Sequence, residues 1–81
     1  MIRVVVADDQ ELVRTGFEMI LTSEADIEVA AVASDGREAV EVCRRSRPDV
    51  VLLDGALAAG KTFFSKALIA ALGSEEIVTS P

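Results

Sequence analysis

Eighty-one residues bound this chain to one small domain, able to bury only roughly 60% of its unfolded surface, so its stability is expected to be marginal unless it is idealised or associates. With 51% hydrophobic and 27% charged residues, it has the composition of a folded chain and not of a disordered one. Fourteen acidic against eight basic residues leave a net charge of −6, which argues against nucleic acid or an anionic membrane as partner, since both are bound through a basic face.

The pattern alternates strand and helix from the start. Ile2–Ala7 is an almost unbroken β-branched run, as in a strand buried on both faces, and Asp8 and Asp9 stop it. Either acid can cap the helix that follows, where Leu12, Val13, Phe17, Ile20 and Leu21 recur at helical spacing over about Glu11–Thr22. Ile27–Ala33 reads as a second strand. Asp35-Gly36-Arg37-Glu38 then resembles a capping box with Asp at the cap, opening a helix to about Arg45 that buries Ala39, Val40 and Cys43. Pro48 ends the connection, and Val50–Leu53 forms a third apolar strand ending at Asp54. A third helix is expected over Lys61–Leu72, capped by Gly73, with Ile77–Thr79 as a short fourth strand.

Strands alternating with helices make βαβ units, whose right-handed crossovers put helices on both faces of a parallel sheet. The expected fold is a single three-layer α/β domain over residues 1–81, a flavodoxin-like and P-loop hybrid. Its strand order is 2-1-3 plus the possible fourth strand. The lone Cys43 excludes an internal disulfide and a cysteine-based zinc site, and packs as a small apolar residue. No signal peptide or membrane-length apolar run is read, and a reducing cytoplasm is the expected compartment.

One motif carries chemistry by itself. Gly55-Ala56-Leu57-Ala58-Ala59-Gly60-Lys61-Thr62 has the spacing of a Walker A loop, with a strand before it and a helix after it. In such a loop the glycines allow a tight exit from the strand and a close approach to phosphate, and successive amides form a concave nest for the anion. The expected phosphate or nucleotide (ATP) site comprises Gly55, Ala58, Ala59, Gly60, Lys61 and Thr62. Lys61 would neutralise the outer phosphates and Thr62 would reach Mg²⁺. The chain has no histidine, no arginine after residue 47 and no base-recognition motif, so at most weak ATPase activity is expected.

Two family resemblances meet at Asp54. Val-Val-Val-Ala-Asp-Asp-Gln-Glu-Leu-Val-Arg (4–14), Ala-Ser-Asp-Gly-Arg-Glu-Ala-Val (33–40) and Arg-Pro-Asp-Val-Val-Leu-Leu-Asp (47–54) resemble, in order, a bacterial response-regulator receiver domain of the LuxR/NarL type. That resemblance implies that Asp8 and Asp9 hold Mg²⁺ and that Asp54 accepts a phosphoryl group. It also implies a later strand with a Ser or Thr and another with a Lys, neither of which is recognised here. Residues 53–64, 71–73 and 78–81 are instead similar to the small P-loop ATPase of the threonylcarbamoyl-adenosine tRNA-modification pathway (TsaE type).

The reading is therefore an engineered or recombined chimera, residues 1–54 receiver-like and 55–81 P-loop and helix, able to bind phosphate or nucleotide. Its alternative is a phosphoacceptor signalling module phosphorylated on Asp54. The expected metal ligands are Thr62, Asp9, Asp54 and Asp8; the strand order would place Asp8 and Asp9 beside the loop, where P-loop enzymes keep a Walker B aspartate. The third strand would be left with an open edge, and Phe63, Phe64 and Leu68 without full cover, so a homodimer or domain-swapped dimer is expected.

Overall fold

The computed structural model describes residues 1–59, 65–72 and 77–80. In chain order the elements are β1 (Ile2–Ala7), α1 (Glu11–Thr22), β2 (Ile27–Ala33), α2 (Gly36–Ser46), β3 (Val50–Asp54), α3 (Ala56–Ala59), α4 (Ser65–Leu72) and β4 (Ile77–Ser80). The four strands form one sheet, ordered β2-β1-β3-β4, and all three pairings are parallel. The flavodoxin-like order expected for the first three strands is the observed one. β4 lies against β3, with Val51 opposite Ile77 and Asp54 opposite Ser80.

Alternation along the strands sorts the core. Val5 and Ala7 of β1, Val51 and Leu53 of β3 and Ala33 of β2 face α2 and α4, where Ala39, Val42, Cys43 and Leu68 close over them. Val4 and Val6 point to the opposite face, which α1 covers over β1 and β2, and they too are buried. The run Val4–Ala7 is apolar throughout because both of its faces are covered.

The helices begin and end by local chemistry. Asp35 accepts the Glu38 N–H at 2.7 Å, and Glu38 reaches back to accept the Ser34 N–H at 2.7 Å. The capping box thus closes one residue further upstream than its standard form. Arg47 takes a left-handed conformation (φ 48°) and its N–H donates to Cys43, which ends α2 and turns the chain into β3. At the N-terminal edge of the sheet, the Asp49 carboxylate accepts the Arg3 N–H at 2.9 Å while the Asp49 N–H donates to the Arg3 carbonyl at 2.8 Å. This exchange extends the β1–β3 pairing.

Three expectations change. Neither acid caps α1 by its side chain: Gln10 is the N-cap, and Asp8 instead accepts the Gln10 N–H. On α1, Val13, Phe17 and Leu21 turn inward, but Leu12 and Ile20 stand 85% and 63% exposed and do not belong to its buried face. The open edge expected on β3 is filled by β4, and Leu68 is fully buried, so two of the reasons given for a dimer through the C-terminal third are removed. Phe63, Phe64 and Gly73 lie outside the described residues.

Candidate functional site

Two adjacent parallel strands end together. Ala7 pairs with Leu53, so Asp8 and Asp54, each one residue further on, leave β1 and β3 side by side at the C-terminal edge of the sheet. Open parallel sheets place their sites at this edge. Both acids are buried, at 1% and 8% exposure, whereas neighbouring Asp9 is exposed.

Burying a carboxylate is costly unless its oxygens find donors. One Asp8 oxygen does: Oδ1 accepts the Gln10 N–H at 2.7 Å. The other, Oδ2, is buried with no hydrogen-bond partner. Arg14 approaches from α1 but donates to the Asp8 backbone carbonyl, at 2.7 Å. Burial first, and then the neighbouring carboxyl groups of Asp54 and Asp9, push the Asp8 carboxyl above its usual range; the Gln10 amide only partly offsets them. This corner of the molecule therefore favours an added positive charge.

Gly55 borders the same corner. It sits at φ +66°, and a Cβ built on it would lie 3.2 Å from Asp9 Oδ1 and 3.6 Å from Asp8 Oδ1. Asp8, Asp9, Asp54 and Gly55 thus lie at one corner of the molecule. The donor set suits a hard cation. Among the described residues, no group of three acidic, cysteine or histidine side chains is placed to hold a metal ion by itself. Mg²⁺ tolerates such a setting, because it keeps several waters and takes only one or two carboxylates. The orphaned Asp8 Oδ2 is the observation that the ion fits.

The expected phosphate loop takes another form. Ala56–Ala59 is a helical turn, and the Ala58 N–H already donates to the Gly55 carbonyl at 3.1 Å. A phosphate nest needs such amides turned toward the anion. Gly55 lies against carboxylates, an environment that repels phosphate unless a cation intervenes. These positions do not form the anion cradle expected of Gly55, Ala58 and Ala59. Gly60, Lys61 and Thr62 lie outside the described residues.

β4 ends in Thr79-Ser80, and the register sets Ser80 opposite Asp54. The apolar pair Ile77-Val78 running into two hydroxyl residues is the sequence signal for this strand end.

Comparison with known proteins gives one consistent result. The family model of the response regulator receiver domain matches residues 4–62. The chain is 47% identical over 60 residues to the oxygen regulatory protein NreC of Staphylococcus epidermidis, and 45% identical to that of Staphylococcus aureus. Those alignments cover 74% of this chain and 28% of the relatives, so the chain spans under a third of their length. Among solved structures, the receiver domain of AraT from Geobacillus stearothermophilus superposes with a TM-score of 0.77 at 31% identity, over 96% of this chain and 62% of that one. The response regulator domain of Thermotoga maritima CheB gives 0.70 at 30% identity, over 100% and 79%. The family match crosses Asp54 and the superpositions reach the C-terminal strand, so nothing in them separates residues 55–81 as a second family.

Proposed function

This chain belongs to the response regulator receiver domain family, and from that premise we propose that it is a phosphoacceptor signalling module that takes a phosphoryl group on Asp54. The observation that carries the reading is the buried Asp8 carboxylate, orphaned at Oδ2, beside Asp54 at the C-terminal edge of the sheet.

A carboxylate oxygen of Asp54 attacks the phosphorus of a phosphorylated donor. A phosphorus–oxygen bond to Asp54 forms, the bond to the donor's leaving group breaks, and that group departs with the electron pair. The product is a mixed anhydride on Asp54. Asp8 and Asp9 would hold Mg²⁺, which supplies neutralisation of charge on the transferring group. Gln10 fixes the Asp8 carboxyl through its N–H, and Arg14 fixes the backbone carbonyl of the same residue. Thr79, near the end of β4 and in register with Leu53, is the local candidate to donate a hydroxyl hydrogen bond to a phosphoryl oxygen.

Incubation with acetyl phosphate should add one phosphoryl group to the intact mass in Mg²⁺ and none in EDTA. Addition independent of the metal would count against this chemistry. The nucleotide-binding alternative draws support only from the Gly60-Lys61-Thr62 string. A titration with ATP and Mg²⁺ decides it, and no saturable binding is expected.

A further inference from the structure

Gly55 is the one residue of the acidic corner that contributes no side chain, and its place there has two unusual features. Its φ of +66° lies in the left-handed region, which residues with a Cβ adopt at a cost. A Cβ added to it would meet Asp9 Oδ1 at 3.2 Å, closer than ordinary van der Waals contact, and Asp8 Oδ1 at 3.6 Å. The contact is not with the far end of a long flexible side chain. Asp9 is short, and Asp8 is held by its bond from Gln10 and by complete burial, so little of the strain can be relieved without moving a carboxylate.

We propose that Gly55 is a positioning residue for the metal site: by carrying no Cβ and turning left-handed directly after Asp54, it leaves the space that lets the Asp9 and Asp8 carboxylates converge on one cation. The inference rests on the phosphoacceptor reading and extends it to a residue that brings no side chain to the site. Adding one methyl group at 55 pushes Asp9 Oδ1 away by a few tenths of an ångström. A small, hard ion tolerates such a displacement poorly, because its coordination distances are short and its geometry nearly fixed.

The test is Mg²⁺ binding to the unphosphorylated chain, followed by calorimetry and by the amide chemical shifts of residues 8 and 9. Gly55→Ala should weaken Mg²⁺ by about tenfold, the lower end of what partners outside the coordination shell contribute. Gly55→Asn should weaken it similarly, although Asn accepts the left-handed conformation more readily. In an Asp9→Ala background, which removes the carboxylate that the Cβ meets, Gly55→Ala should change the remaining affinity by less than about twofold. Should Gly55→Ala fail to fold, Gly55→Asn supports the same comparison.

Wild-type affinity in both Gly55 variants would overturn the proposal, as would a tenfold loss that persists without the Asp9 carboxylate. No Mg²⁺ binding by the wild-type chain would instead remove the metal reading itself, and this inference with it.

Discussion

Asp8 and Asp54 follow directly on a register pair, Ala7 opposite Leu53, so two buried carboxyl groups lie together with one oxygen of Asp8 lacking any donor. The fold bears this cost in every metal-free molecule. Sites that bind cations carry such uncompensated charge, and the site's function can be read from what would relieve it.

Asp8→Asn removes one of the like charges and keeps an oxygen to accept the Gln10 N–H. In EDTA this variant should therefore be more stable than the wild type, by about 1 kcal/mol, or a rise of roughly 4–8 °C in thermal midpoint for a domain of this size. Its response to added Mg²⁺ should fall away. A melt in EDTA that drops on substitution would contradict the account of a strained acidic corner.

Arg3 ties the opposite edge of the sheet. Its guanidinium donates to the carbonyls of Ser46 and Arg47 at the end of α2 and lies 3.6 Å from the Glu28 carboxylate. The ion pair is half exposed and contributes little, whereas the carbonyl bonds hold the α2–β3 turn. Arg3→Ala should cost about 1–2 kcal/mol in urea unfolding, and Glu28→Ala less than about 0.5 kcal/mol. Equal losses from the two would show that the ion pair, and not the turn, is the stabilising element.

Cys43 is fully buried under β1 and β3, and burial pushes its thiol up to about 11 from an ordinary value of 9.0. The unfolded chain ionises first as pH rises, so the contribution of Cys43 to stability is complete below pH 9 and is lost between 9 and 11. At neutral pH the thiol should react with iodoacetamide only on unfolding. Cys43→Ala should flatten the alkaline loss of stability, as followed by chemical denaturation at pH 8, 9 and 10.

Much of this arrangement was legible in the residues. Val4–Ala7 has no polar position, which marks a central strand, and the ordered acids at 8, 9 and 54 marked its carboxyl end as a site. The residues after Asp54 misled for a physical reason. Gly-x4-Gly-Lys-Thr spacing identifies a phosphate loop only when the backbone between the glycines stays open, and here three alanines and a leucine favour a helical turn instead. Local spacing also cannot show that Gly55 faces carboxylates, since that depends on how β1 pairs with β3. Ile77–Thr79 was legible as a short strand, but its place beside β3, with Ser80 opposite Asp54, depends on the pairing and not on local pattern. On α1, periodicity located the helix, but did not exclude Leu12 and Ile20 from the buried side.

The most direct test of the phosphoacceptor account is chemical trapping of the modified residue. After incubation with acetyl phosphate and Mg²⁺, borohydride reduction should convert the aspartyl phosphate to homoserine, and peptide sequencing by mass spectrometry should find that product at residue 54. No homoserine should form in EDTA or in Asp54→Asn. Homoserine at residue 8 or 9, or none anywhere although the intact chain binds Mg²⁺, would contradict the assignment of Asp54 as the phosphoacceptor.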